Sequence, residues 1–189
     1  MTETTMTHLI AIEGPDGAGK SKLIRGVLEE LFTLGVRAVS WAHNRSPHRD
    51  PWQASLHYAS QRAMLAGSMR SDNVPADVVL LDRWWLSNYC SCEPAARLLS
   101  IVERQQLPRL SAVVWLDADD QTLDQRLADR GEAIRPIDRE IRASYRSAAE
   151  HLDGSAWWDH SRRFVTDACD AETTAVVVSR WLATFMGAR

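Results

Sequence analysis

Cysteine is scarce in this chain, and neither a disulfide framework nor a zinc site can be built from what there is. The three cysteines are an odd set, Cys90, Cys92 and Cys169. They show neither the C-x-x-C spacing nor the second cysteine pair of a structural zinc site. We therefore expect reduced thiols and a cytoplasmic location.

A large net charge and long apolar runs are also missing. The formal net charge is −3 over 189 residues, so the chain as a whole has no electrostatic attraction to nucleic acid or to an anionic membrane. No apolar run is long enough to cross a bilayer, and the polar segment 1–7 argues against a signal peptide. The length suits one domain, which we expect to comprise residues 1–189.

A glycine-rich segment is the most informative part of the sequence. Residues Gly14-Pro15-Asp16-Gly17-Ala18-Gly19-Lys20-Ser21 fit the P-loop pattern G-x-x-x-x-G-K-[ST]. The segment lies between a strand-like apolar run, 8–12, and a helical apolar pattern over 23–31. In that order, backbone N–H groups and a helix N-terminus face the phosphates of a nucleotide. We expect Lys20 to reach the β- and γ-phosphates of ATP, and Ser21 to ligate Mg²⁺.

Strand-like and helical segments alternate along the rest of the chain. Strands are predicted at 38–41, 78–81, 112–116 and 164–166, and helices at 51–69, from 94, at 122–129, from a cap at Asp138, and at 171–186. This alternation predicts an α/β fold with a mostly parallel sheet of about five strands and helices on both faces. Because ligands bind at the carboxyl ends of such strands, the loops after Glu13, Trp41, Leu81 and Leu116 should form the rim of the active site.

Three further motifs, together with the P-loop, resemble the thymidylate kinase family of nucleoside monophosphate kinases. Asp82-Arg83-Trp84 with Ser87 resembles the family's D-R-[YH]-x-x-S motif. Tyr58 and Arg62 match its aromatic-x-x-x-Arg helix motif, and the run 115–131 resembles its L-D-…-R-…-R-G entry into a lid. The resemblance implies a P-loop kinase fold with an arginine-bearing lid at about residues 130–138.

The resemblance also implies which ligand each matching residue would bind. ATP and Mg²⁺ would bind through Gly14, Asp16, Gly17, Ala18, Gly19, Lys20, Ser21 and Lys22, with Asp82 holding Mg²⁺ through water. Arg83 and Arg45 would grip the acceptor phosphate, Tyr58 would stack on a pyrimidine, Arg62 would donate to its O4 edge, and Asp16 would meet the sugar 3′-hydroxyl. A homodimer is a further expectation from the family.

The position of the catalytic arginine follows from the P-loop. Gly17 stands where some members of the family place that arginine. In members with this pattern the lid supplies it, so Arg130 and Arg135 are the candidates. Lid arginines that arrive last would complete the charge stabilisation only when substrate is bound.

The acceptor half departs from the family's pattern. His43-Asn44-Arg45-Ser46-Pro47 replaces an E-P-G-type signature, and Asn88-Tyr89-Cys90-Ser91-Cys92 replaces a Tyr-Gln segment. Arg49 lies in the same loop as Arg45 and is an alternative for its role.

Three functions therefore stay open. The first is a kinase that moves the γ-phosphate of ATP to dTMP or a related pyrimidine deoxynucleotide. The second is a phage-type kinase on the same scaffold that phosphorylates 5-hydroxymethyluracil in DNA, or a hydroxymethylated nucleotide, with Asp16 or Asp82 as general base. The third is a non-catalytic nucleotide-binding switch, which the intact Lys20, Ser21, Asp82 and Arg83 disfavour.

Overall fold

The computed structural model describes residues 7–48, 50–70, 75–152, 156–167 and 170–186. The predictions for residues 1–6, Arg49 and Cys169 lie outside these ranges.

One parallel sheet of five strands organises the described part of the chain, in the order β2-β3-β1-β4-β5. The strands are β1 (His8–Glu13), β2 (Ala38–Ala42), β3 (Val78–Asp82), β4 (Leu110–Asp117) and β5 (Trp158–Val165). Strands flank β1 on both edges and helices cover both faces, so its residues are buried from Leu9 onward. The predicted α/β fold with a parallel sheet is thus confirmed.

Seven helices of the described residues cover the two faces of this sheet. They are α1 (Lys20–Thr33), α2 (Pro51–Arg70), α3 (Trp85–Tyr89), α4 (Pro94–Gln106), α5 (Asp120–Ala128), α6 (Pro136–His151) and α7 (Ala171–Met186). Because strand side chains alternate between faces, Ile10 packs with Val27 of α1 and Val178 of α7, whereas Ala11 packs in a second cluster with Trp85 of α3 and Tyr145 of α6.

β4 and α5 begin two residues earlier than predicted, at Leu110 and Asp120, and three other elements differ from the sequence prediction for identifiable reasons. β5 is longer than the expected 164–166, because its middle residues are exposed and polar at an edge of the sheet and carry no apolar signal. α3 was not predicted, since five residues are too few to show a helical period. α6 begins at Pro136, before the predicted cap at Asp138, because proline favours the first helical position.

The register of the sheet brings the segments that follow β1, β2 and β3 close together. Ile12 of β1 and Ala42 of β2 both pair with Asp82 of β3. The P-loop, the loop that starts at His43, and Arg83 therefore leave the sheet side by side at its carboxyl edge, as predicted. Among the helices of the described residues, none combines the length and apolar character needed to cross a bilayer.

Candidate active site

The P-loop joins β1 to α1 and turns on three glycines. Gly14, Gly17 and Gly19 have φ values of 149°, 88° and 94°, a region that glycine adopts without steric cost. A Cβ on Gly14 would also collide with the carbonyl oxygen of Leu116 on β4. Because α1 begins at Lys20, the free N–H groups of its first turn face the loop, which gives the loop an anion-binding geometry.

Lys20 is buried and bends back over the P-loop. Its Nζ donates to the carbonyl oxygens of Gly14 and Pro15, both at 2.9 Å, and lies 3.9 Å from Oδ1 of Asp16. Burial, and next the charge of Arg83, lower the pKa of Lys20 to about 7 against the pull of nearby carboxylates. A phosphate anion at this position would stabilise the charged ammonium form, so Lys20 is suited to bind phosphate.

Ser21 and Asp82 place two oxygen ligands beside the P-loop. The Ser21 hydroxyl donates to Oδ2 of Asp82 at 3.4 Å. Mg²⁺ prefers hard oxygen ligands and is commonly held by one or two protein groups together with water and phosphate oxygens. The residues present therefore fit the Mg²⁺ ion that the family resemblance implies.

A cavity of about 660 Å³ covers the P-loop. Seven of the predicted nucleotide-binding residues line it: Asp16, Gly17, Ala18, Gly19, Lys20, Ser21 and Lys22. Arg126, from the predicted lid entry, lines it too, and its Nη1 donates to the carbonyl oxygen of Gly17 at 3.2 Å and to Oγ1 of Thr166 at 2.9 Å. Arg126 thus ties the P-loop to the segment that follows β5.

Arg83 directly follows β3 and reaches across the P-loop. Its φ is 70°, and no other non-glycine residue of the described chain has a positive φ; such a conformation costs about 1–3 kcal/mol. Its guanidinium donates to the carbonyl oxygen of Gly14 at 3.2 Å, to the hydroxyl of Tyr145 at 2.7 Å and to the carboxylate of Asp16. Burial opposes its charge, but Tyr145 and nearby carboxylates outweigh burial and raise the pKa of Arg83.

A fully buried carboxylate, that of Glu13, lies behind Arg83. It accepts hydrogen bonds from the backbone N–H of Trp84 at 2.6 Å and from Oγ of Ser87 at 2.8 Å. The Tyr145 hydroxyl in turn lies 3.0 Å from Oγ of Ser87. Burial raises the pKa of Glu13, and the charge of Arg83 only partly offsets this. We call Glu13, Arg83, Ser87 and Tyr145 the Arg83 network.

Sequence reasoning assigned no role to Glu13 or Tyr145. An available signal for Glu13 was its position, since an acidic residue that ends a buried strand needs polar partners. Tyr145 gave no such signal, because an aromatic residue at helical spacing is ordinarily part of a core.

A second cavity, of about 520 Å³, adjoins the first. All three predicted acceptor residues outside the D-R motif, Arg45, Tyr58 and Arg62, line it. The two cavities share three residues, Asp16, Asp82 and Arg83. The structure therefore brings the predicted donor and acceptor residues to either side of one junction.

Arg62 is almost completely buried in the wall of the second cavity, with 1% of its side chain exposed. Its Nε and Nη2 donate to the two carboxylate oxygens of Glu103 on α4, at 2.6 Å and 2.9 Å. Its Nη1 lies 3.0 Å from Nε2 of His43. Because a guanidinium has five N–H groups, one on each Nη remains for a ligand, and sequence reasoning foresaw neither Glu103 nor His43.

The two predicted lid arginines occupy different positions. Arg130 is exposed, lies 3.3 Å from Oε1 of Glu132, and lines the P-loop cavity. Arg135 pairs with Asp138 at 2.7 Å and lines a separate cavity of about 360 Å³ that reaches Asp16. Of the two, Arg130 is the one that the structure puts on the same cavity as the P-loop.

Comparison with known proteins agrees with this geometry. The chain is similar to thymidylate kinases. It is 33% identical over 144 residues to the thymidylate kinase of Xanthomonas euvesicatoria pv. vesicatoria (strain 85-10), and 32% identical over 146 residues to that of Xanthomonas oryzae pv. oryzae (strain PXO99A). With the thymidylate kinase of Xanthomonas campestris pv. campestris (strain B100) the identity is 28% over 144 residues.

Each of these matches covers 66% of this chain and 62% of the relative. The chain thus spans less than two thirds of the length of the relatives that it matches. No family model matches the chain. The similarity and the five-stranded parallel sheet are both consistent with a P-loop kinase fold.

Proposed function

We propose that this protein is an ATP-dependent nucleotide kinase, similar to thymidylate kinase, that transfers the γ-phosphate of ATP to a pyrimidine deoxynucleotide such as dTMP. The junction of the two cavities at Asp16, Asp82 and Arg83 carries the proposal. Phosphoryl transfer requires donor and acceptor in line, so a kinase needs two adjoining sites. A nucleotide-binding switch needs only the first.

The donor side of the junction is the P-loop cavity. The loop amides and Lys20 bind the phosphates of ATP, and the N-terminus of α1 adds its dipole. Ser21 and Asp82 would hold Mg²⁺, which when bound neutralises charge on the β- and γ-phosphate oxygens. Arg130, on the same cavity, is the better placed of the two lid arginines to approach the transferred group.

The acceptor side is the second cavity. Arg83 and Arg45 bind the phosphate of the nucleotide, because planar guanidinium groups pair well with phosphate oxygens. Tyr58 stacks on the pyrimidine, and a remaining N–H of Arg62 donates to its carbonyl edge. Asp16 accepts a hydrogen bond from the sugar hydroxyl.

A phosphate acceptor suits the charges at the junction better than a hydroxyl acceptor. A nucleotide phosphate with a second pKa near 6 is already a dianion at neutral pH. One of its oxygens attacks the γ-phosphorus, the bond from that phosphorus to the bridging oxygen breaks, and ADP leaves with the electron pair. A hydroxyl acceptor would need a general base, and Asp16 is a candidate. Burial acts to raise the pKa of Asp16, but the charges of Arg83 and Lys20 outweigh burial and lower this pKa, which makes Asp16 a weaker base.

The test is a coupled ADP-release assay with ATP and Mg²⁺ across a panel of acceptors. The panel holds dTMP, dUMP, hydroxymethyl-dUMP, dCMP, thymidine, and duplex DNA with and without 5-hydroxymethyluracil. We expect turnover with a pyrimidine deoxynucleotide and none with thymidine. Lys20→Ala should lower kcat/KM by about 100-fold or more, because a positioned cation at the transferred phosphate is lost.

Two results would contradict the proposal. Turnover confined to modified DNA or to hydroxymethyl-dUMP would favour the hydroxymethyluracil kinase. ATP binding without acceptor-stimulated ADP release, with any member of the panel, would favour a nucleotide-binding switch. Arg25→Ala, on the exposed side of α1 and not among the residues that line the P-loop cavity, is the control for the loss of a positive charge.

A further inference from the structure

We infer that His43 is a positioning residue for the acceptor: its imidazole holds Arg62 as a hydrogen-bond acceptor and packs against Tyr58. The inference rests on the proposed function, because Arg62 and Tyr58 are there assigned to the acceptor base. All three side chains line the second cavity. His43 stands in the loop 43–47, where the sequence departs from the thymidylate kinase pattern.

The direction of the hydrogen bond follows from the chemistry of the two groups. A guanidinium carries only donors and stays protonated in proteins. With Nη1 of Arg62 at 3.0 Å, Nε2 of His43 must therefore be the acceptor. This fixes the neutral imidazole with its proton on Nδ1. Glu103 holds one edge of the guanidinium and His43 the other, which leaves Arg62 a single orientation.

His43 also forms part of the aromatic wall around Tyr58. Its ring lies 5.3 Å from that of Tyr58 at 76°, and 4.6 Å from that of Trp41 on β2 at 65°. Both are edge-to-face arrangements, which aromatic rings favour. The position of the Tyr58 ring therefore depends on the same imidazole as the orientation of Arg62.

The rest of the loop is attached to α2 by separate contacts. The backbone N–H of Asn44 donates to Oε1 of Gln61 at 2.7 Å, and Nε2 of Gln61 donates back to the Asn44 carbonyl at 3.1 Å. The backbone N–H of Ser46 donates to the Tyr58 hydroxyl at 3.3 Å. The two contacts with Gln61 involve neither His43 nor Tyr58 and should keep the loop in place if His43 is replaced, so a His43 variant tests Arg62 and Tyr58 rather than the loop.

The surroundings of His43 keep it neutral. Burial, and next the charge of Arg62, lower its pKa to about 3; Arg83 and His57 act in the same direction, and a backbone hydrogen bond with Asp82 acts against them. Nε2 therefore keeps its lone pair across the pH range of a kinase assay, and the hydrogen bond to Arg62 persists.

Three variants of His43 test the inference. Glutamine can bring its amide oxygen near the position of Nε2, whereas the oxygen of asparagine ends near Nδ1, and leucine offers no acceptor. We expect His43→Asn and His43→Leu to raise the KM for the nucleotide acceptor about 10-fold, with kcat and the KM for ATP within about 2-fold. His43→Gln should stay within about 3-fold of wild type.

Titration calorimetry with dTMP measures the same contrast without turnover, and thermal melting checks that each variant is folded. His48→Gln, at an exposed histidine directly after the loop 43–47, should behave as wild type. Any of three results would overturn the inference. The acceptor KM of His43→Asn could be unchanged, His43→Gln could be as impaired as His43→Leu, or the KM values for acceptor and ATP could rise equally. Absence of wild-type turnover with every nucleotide would instead contradict the proposed function.

Discussion

Lys20 is a charged residue held where its charge is poorly stabilised. Its Nζ is satisfied by two backbone carbonyls, yet burial and Arg83 bring its pKa to about 7, far below its ordinary value of 10.5. Near neutral pH the group therefore changes protonation readily, and an anion at the P-loop shifts it to the charged form.

The lowered pKa of Lys20 predicts that the protein takes up a proton when ATP binds. At pH 8, above its lowered pKa, Lys20 is mostly neutral, so ATP binding should take up close to one additional proton relative to Lys20→Met. At pH 6 the lysine is already charged, and the difference should vanish. Calorimetry in two buffers of different ionisation enthalpy measures the uptake, and Arg25→Met, an exposed cation of α1 outside the cavity lining, is the control. Equal uptake by wild type and Lys20→Met at pH 8 would show that Lys20 is charged before ATP arrives.

At the scale of elements, α6 connects the predicted lid to Arg83, the arginine that we propose binds the acceptor phosphate. The helix starts at Pro136, directly after the segment with Arg130 and Arg135, and carries Tyr145 on its buried side. Tyr145 accepts the hydrogen bond from Arg83 at 2.7 Å. If the predicted lid closes and shifts α6, the shift would reach the guanidinium that we propose binds the acceptor phosphate, through the Arg83 network.

Removing the Tyr145 hydroxyl should loosen Arg83 without disturbing the core. We expect Tyr145→Phe to raise the KM for the nucleotide acceptor about 5- to 10-fold, because a hydrogen bond to a charged group is lost, while the KM for ATP changes little. Steady-state kinetics with each substrate varied in turn measures this. Tyr89→Phe, on the partly buried end of α3, removes a comparable hydroxyl outside the network and should leave both constants unchanged. Equal effects on the two KM values would argue against a specific link to Arg83.

At the scale of the whole molecule, one buried polar network joins four parts of the chain. Glu103 of α4 accepts from Arg62 of α2 and from Nδ2 of Asn88 in α3, at 2.9 Å, and Arg62 continues to His43 after β2. Glu103 and Arg62 are 7% and 1% exposed. Breaking such a pair is costly, because the partner that remains is a buried and uncompensated charge.

Glu103→Ala should therefore lower the free energy of unfolding by about 3–5 kcal/mol. Denaturant unfolding followed by circular dichroism measures the change. Asp159→Ala, which breaks the half-exposed ion pair with Arg109, is the matched control and should cost about 0–1 kcal/mol. The double variant Arg62→Met with Glu103→Leu should recover most of the stability, since it removes both buried charges. A loss from Glu103→Ala no larger than that of Asp159→Ala would mean that water reaches Arg62.

The sequence predicts those parts of the fold and of the candidate site whose residues lie close together in the chain. The P-loop and Asp82-Arg83 are contiguous motifs at strand ends, so their meeting at one sheet edge follows from the parallel fold. Tyr58 and Arg62 are four residues apart in α2, which puts them on one helix face and in one cavity. The roles of three other residues depend on contacts between segments that are distant in the chain: His43, Glu103 and Tyr145. No local sequence pattern indicates such contacts.

The ion pair between Arg83 and Asp16 has a consequence for competing anions. In the proposed binding mode, a phosphate that takes the Nη2 group of Arg83 displaces the carboxylate of Asp16, which then keeps just the more distant Nζ of Lys20, at 3.9 Å. In that mode a nucleotide offers a sugar hydroxyl to Asp16 in the same event, whereas inorganic phosphate and pyrophosphate have no sugar to do so. We therefore expect the exchange of partners at Asp16, and not only the shape of the cavity, to favour a nucleotide over these small anions, which accompany ATP chemistry everywhere.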